Sequence, residues 1–172
     1  MAEPTRRRLL AGLPLLAAAA PAARGFDFRF PAIEGGEIDL SAHRGKPLLV
    51  VNTASFCGFA PQFAALQKLH ETYAARGLLL VGVPSNDFNQ EAADNEAVKA
   101  FCDAEFGVDF PMAAISHVKG PQAHPFFAWA GAPSWNFFKY LVGRDGGLRQ
   151  TYPSGVEPQS AALVRAIEAA LA

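Results

Sequence analysis

Cysteine is scarce: two residues in a chain of 172 cannot build a disulfide-stapled fold. The four histidines, His43, His70, His117 and His124, are scattered without metal-ligand spacing, so metal chemistry is not expected, and no motif in the chain implies a bound organic cofactor. Excess basic charge is also missing. Fifteen Lys and Arg stand against sixteen Asp and Glu, which excludes the broad positive field that nucleic-acid binding needs. After Gly25 there is no internal repeat, low-complexity tract or linker, and the length suits one domain plus a short appendage, at roughly 100–200 residues per domain. Apolar material is plentiful, at 51% of residues, which provides for a core and excludes a disordered chain.

The apolar run from Leu9 to Ala20 is interrupted by Pro14 and falls short of the roughly 20 residues that a permanent membrane helix takes. Stable membrane insertion is therefore not expected. Arg6, Arg7 and Arg8 precede the run and Ala20-Pro21-Ala22 follows it, which is the three-part plan of a secretory signal. Thr5-Arg6-Arg7-Arg8-Leu9-Leu10 further resembles a twin-arginine export signal, with an ordinary export signal as the alternative. Residues 1–23 are thus expected to be cleaved on export to a bacterial periplasm, leaving 24–172 as the working domain.

Phe26, Phe28 and Phe30 alternate with polar residues, and Gly35-Gly36 separates them from Ile38 and Leu40, the pattern of a half-buried hairpin. Pro47 to Val51 is a continuous apolar run that reads as a central strand, followed by a polar turn from Asn52 to Gly58. Phe63, Leu66, Leu69 and Tyr73 recur at helical steps between Pro61 and Gly77, and Leu78 to Val83 is a second apolar strand. Strand, helix and strand make a crossover unit whose strands should be parallel. A second helix is expected over 95–106, with Val98, Phe101, Cys102 and Glu105 on one face. Phe137 to Val142 and Leu148 to Tyr152 flank a Gly-rich turn containing Asp-Gly, a hairpin signal. A last helix is expected from near Pro158, with Leu163, Val164, Ile167 and Leu171 on one face. The fold class is α/β and the order is that of a thioredoxin-like plan: a mixed sheet flanked by helices, preceded by a β-hairpin.

Cys57 falls between the end of a buried strand and the start of a helix. Free N–H groups and the positive helix end favour a thiolate at such a position, which suits a reactive cysteine. A small buried apolar residue that happens to be cysteine fits the position equally well.

The surrounding residues, Asn52-Thr53-Ala54-Ser55-Phe56-Cys57-Gly58-Phe59-Ala60-Pro61-Gln62-Phe63, resemble the signature around the peroxidatic residue of the glutathione peroxidase family. Pro84-Ser85-Asn86-Asp87-Phe88-Asn89-Gln90-Glu91 is similar to that family's second motif and Phe110-Pro111-Met112 to its third. Ala123-His124-Pro125 is similar to a fourth, and Ser134-Trp135-Asn136-Phe137-Phe138-Lys139-Tyr140-Leu141 to a fifth. The motifs run in family order from about Phe26 to the C-terminus.

The resemblance implies a thiol peroxidase that reduces hydrogen peroxide and organic hydroperoxides to water or alcohols. It makes Cys57 the peroxidatic cysteine and Gln90, Trp135 and Asn136 the other members of the family's catalytic tetrad. All three carry N–H donors able to stabilise charge on sulfur and on the leaving oxygen. Cys102 resembles the resolving cysteine of the thioredoxin-dependent branch, which implies a thioredoxin-like dithiol donor, with glutathione or another small thiol second. A static Cys57–Cys102 bridge and an inert core cysteine are the alternatives for Cys102. The second motif is one residue short between Phe88 and Gln90, which puts the placement of Gln90 at issue. Only a short stretch separates Trp129 from Trp135, without the insertion that tetrameric members use, so a monomer with an open cleft is expected. Two rivals share the fold: a thiol–disulfide oxidoreductase, disfavoured because Ala60 replaces the second cysteine of Cys-x-x-Cys, and a non-enzymatic peroxide sensor.

Overall fold

A computed structural model describes residues 24–172, so the expected export signal lies outside the described residues. The N-terminal hairpin pairs β1 (Arg29–Pro31) with β2 (Glu37–Asp39) antiparallel, Phe30 facing Ile38. Phe26 lies in a preceding 3-10 turn rather than in the strand, because Arg24 and Asp27 close a reciprocal cap around Gly25–Asp27. The hairpin is therefore shorter than the alternation of phenylalanines predicts.

The main sheet runs β4-β3-β5-β6. Strand β3 (Leu48–Thr53) is buried along its whole length and lies parallel to β4 (Leu79–Pro84), as the crossover unit requires. It also pairs antiparallel with β5 (Lys139–Val142), which continues antiparallel into β6 (Leu148–Tyr152). Strand β3 outruns its expected end: Asn52 and Thr53 belong to the strand and are fully buried, because both bond to neighbouring strands' extensions. Gly82 lets the 110–113 segment approach β4; a Cβ there would clash with Met112 Sδ. Gly82 N–H donates to Pro111 O at 3.0 Å and Ala113 N–H to Gly82 O at 2.8 Å, which covers the edge of β4.

Helix α1 (Gln62–Tyr73) and α2 (Asn95–Phe106) cover one face of the sheet together with α4 (Ala161–Leu171), and Leu66, Val98, Cys102, Leu163 and Ile167 share its core with Leu49, Val51 and Leu80. Glu105 is exposed; only Val98 and Cys102 of α2 are fully buried, so the apolar stripe is narrower than the spacing predicts. Helix α4 starts at Ala161, because Ser160 rather than Pro158 caps it, accepting Leu163 N–H.

On the other face, Phe30, Phe126, Phe127 and Tyr140 pack with Leu48 and Val50. Phe126 and Phe127 come from α3 (Pro125–Ala130), a helix too short for periodicity to reveal. His124 caps it: Nδ1 accepts Phe126 N–H at 3.2 Å, so Nε2 carries the proton and donates to Arg29 O at 2.8 Å.

Candidate active site

Strands β3 and β4 are parallel and β5 opposes them, so the ends of the first two and the start of the third meet at one edge of the sheet. Such an edge is where α/β sheets place their sites. Cys57 lies in the turn after β3, Gln90 in the loop after β4, and Trp135 and Asn136 in the segment before β5.

Cys57 is a free thiol and only 5% exposed, between exposed Phe56 and exposed Gly58. Its sulfur accepts Phe59 N–H at 3.5 Å. The turn is tied to the Gln90 segment by Phe56 N–H, which donates to Gln90 O at 2.9 Å. The Gln90 side chain accepts from Asn136 Nδ2 at 3.0 Å. Three sequence-predicted residues are thereby brought together despite the shortened loop, since Asn89 takes a left-handed conformation at φ 57° and closes a turn onto Asn86 O.

Trp135 is 40% exposed, with its ring 5.0 Å from that of Phe88. Among the described residues, none of the Gln90 amide, the Asn136 amide and the Trp135 indole donates to Cys57 Sγ. Among the described residues Gln90 Nε2 and the Trp135 indole N–H remain uncommitted, and Asn136 Oδ1 is buried without a partner.

Cys102 stands apart from this group on α2, wholly buried and not disulfide-bonded. Burial, with Glu91 and Asp103 nearby, pushes its thiol up to about 12. A static bridge is thus not the state of this structure. Phe56 connects the two regions, meeting Phe101 edge-to-face at 6.0 Å.

Three residues that organise the site are absent from the sequence-level set. Asn52 clamps the segment before β5: its Nδ2 donates to Trp135 O at 3.1 Å, its Oδ1 accepts Phe138 N–H at 3.1 Å, and its carbonyl accepts Phe137 N–H at 2.6 Å. These bonds hold Phe137 at φ 61°, a costly conformation for a bulky residue. Glu91 is buried beside the Cys57 turn, and burial raises its carboxyl above the usual range. Lys139 is fully buried under the start of α1, its Nζ donating to Gln62 Oε1 at 2.7 Å, Val156 O at 2.6 Å and Ser154 O at 3.2 Å. Burial lowers it to about 8. The available signal was the unusual place of each: an Asn ending an apolar strand, an acid beside Gln90, a Lys opening another strand.

No cluster of potential metal ligands occurs among the described residues, and none of their helices is long and apolar enough to cross a membrane.

Residues 26–130 match the family model described as glutathione peroxidase. A glutathione peroxidase of Lactococcus lactis is 40% identical over 144 residues, which cover 78% of this chain and 92% of that protein. The hydroperoxy fatty acid reductase of Synechocystis is 37% identical, over 80% of this chain and 90% of its own length. The crystal structure of Trgpx in its apo form superposes with a TM-score of 0.69 at 30% identity, covering 87% of this chain and 97% of that one. With the thioredoxin-like sheet and the cysteine turn already in place, these likenesses settle the family: the chain belongs to the glutathione peroxidases and is a peroxidase.

Proposed function

We propose that Cys57 is the peroxidatic nucleophile of a two-cysteine cycle on hydrogen peroxide and organic hydroperoxides. The observation that carries this reading is the tie between the Cys57 turn and Gln90, whose side chain in turn meets Asn136. In the first step the Cys57 thiolate attacks one peroxide oxygen, the O–O bond breaks, and the leaving alkoxide or hydroxide takes a proton. Cys57 becomes a sulfenic acid and the peroxide is reduced to alcohol or water. The uncommitted N–H groups of Gln90 and Trp135 serve as donors to the developing oxyanion once substrate opens the site.

Cys102 then attacks the Cys57 sulfur, releasing water and forming a disulfide, and a thioredoxin-like dithiol protein reopens it by exchange. Glutathione is the second choice of donor, because an internal thiol already resolves the sulfenic acid. A disulfide needs the two Cα atoms within about 7 Å and two accessible sulfurs, so this step requires α2 to open locally. Support comes from the helix itself, whose fully buried side chains are only Val98 and Cys102. The working unit is a monomer, exported to the periplasm by the twin-arginine-like leader.

Intact-mass analysis and thiol labelling after one equivalent of hydrogen peroxide test the cysteine roles. Wild type loses two thiols and forms one internal bridge; Cys102→Ser retains a trappable sulfenic acid; Cys57→Ser reacts slowly. Single variants that both consume peroxide like wild type would overturn the assignment. Repeated turnover with excess hydroperoxide and thioredoxin separates an enzyme from a sensor that is oxidised once. Size-exclusion chromatography and periplasmic fractionation with N-terminal mass test the monomer and the export route.

A further inference from the structure

Resting on that reading of Cys57, we propose that Glu91 is a positioning residue whose carboxylate fixes the turn carrying the nucleophile. Ser55, two positions before Cys57, donates its N–H to Glu91 Oε1 at 2.9 Å. The same oxygen accepts Ala92 N–H at 2.8 Å, and Glu91's own N–H is anchored on Asn86 Oδ1 at 3.2 Å. The next residue of the turn, Phe56, bonds to Gln90 O. Two consecutive N–H groups before the nucleophile are therefore held by two consecutive residues of the loop after β4.

Glu91 has no salt-bridge partner among the described residues, although it is only 8% exposed. Burying a carboxylate without a cation is costly, and its second oxygen has no hydrogen-bond partner among the described residues. What this acid contributes is an acceptor with the reach to hold Ser55. Removing it leaves the Ser55 N–H unpaired and frees the turn, and with it the separation between Cys57 and the Gln90 amide. Side-chain geometry sets the role: glutamine offers an oxygen of the same reach, alanine offers none.

The test is the second-order rate of Cys57 thiol loss to hydrogen peroxide, measured on wild type, Glu91→Gln and Glu91→Ala, with circular dichroism to verify folding. Glu91→Gln is expected within about threefold of wild type, and Glu91→Ala about 100-fold slower, the scale of a displacement of roughly 1 Å at a reacting atom. A Glu91→Ala rate equal to wild type overturns the proposal, as does a Glu91→Gln rate as low as that of alanine. If alanine prevents folding, Glu91→Asp replaces it: the carboxylate is one methylene short of Ser55, about a tenfold loss is expected, and a wild-type rate overturns the role. Wild-type protein whose Cys57 resists peroxide would instead remove the peroxidase assignment of that cysteine, so the two failures are separable.

Discussion

Asn136 Nδ2 donates to Gln90 Oε1 at 3.0 Å, joining residues 46 positions apart across the edge of the sheet. The bond fixes the orientation of the Gln90 amide. With Oε1 occupied, Nε2 is the free end, and it is the end that stabilises an oxyanion. Asn136 thus acts on the reaction in part through Gln90.

Residues that act as one unit lose their effects non-additively. Gln90→Ala and Asn136→Ala should each slow peroxide oxidation of Cys57 by about 100-fold, the cost of one oxyanion donor. The double variant should be at most about tenfold slower than either single variant. Stopped-flow measurement of thiol oxidation decides this, and multiplication of the two losses would show that the residues act independently.

The shortened loop leads to a stability prediction. Asn89 sits at φ 57°, where a side chain without a local polar group costs about 1 kcal/mol or more. Asn89→Gly should leave the urea midpoint unchanged or raise it, whereas Asn89→Val should lower stability by about 1–2 kcal/mol and slow the reaction with peroxide. A wild-type rate and midpoint in the valine variant would show that this turn does not set the Gln90 position.

Periodic features were legible in the sequence and isolated polar anchors were not. Strands β3 and β4 and helices α1 and α2 follow from apolar runs and helical spacing, because burial on one or two faces imposes a period. The joining of Gln90 to Asn136 follows from no periodicity; the family resemblance named the residues, and only the fold shows their bond. Asn52 and Glu91 escaped for a different reason. Each works through bonds to backbone groups of distant segments, and a backbone N–H carries no sequence signature. The same holds for α3, six residues long and started by a histidine cap.

Lys139 gives the sheet a pH dependence with a definite sign. Burial holds its ammonium at about 8 against an ordinary 10.5, so between these values the unfolded chain binds more protons than the folded one. Stability contributed by this residue therefore rises with pH across that window and is lost as pH falls toward 8. Lys139→Met should be destabilised by about 2 kcal/mol or more at pH 9, because two buried acceptors, Gln62 Oε1 and Val156 O, lose their donor, while Ser154 O keeps that of Gln62 Nε2. The gap in unfolding free energy between wild type and Lys139→Met should widen as pH rises above 8. Tyrosines titrating in both proteins cancel in this difference; a constant gap would show that Lys139 is not held near 8.

Cys102 links the reading of the cycle to the mobility of α2. Its thiol is wholly buried and pushed up to about 12, so in the closed helix it is neither accessible nor ionised at neutral pH. Asp94 caps the helix by accepting Ala97 N–H at 2.9 Å, and Asn95 Oδ1 accepts Ile115 N–H at 2.8 Å. These bonds, the two buried side chains and the packing of Phe101 and Phe106 against the core resist opening. Asp94→Ala should weaken the helix start by about 1 kcal/mol, raising the open population by roughly fivefold. Disulfide formation after oxidation should accelerate by the same factor, while the first reaction of Cys57 with peroxide stays unchanged. Hydrogen exchange in α2 should rise on oxidation in wild type but not in Cys102→Ser, since only a formed bridge holds the helix open. Faster exchange in both proteins would assign the opening to the sulfenic acid itself, and unchanged exchange in both would leave Cys102 an inert core residue.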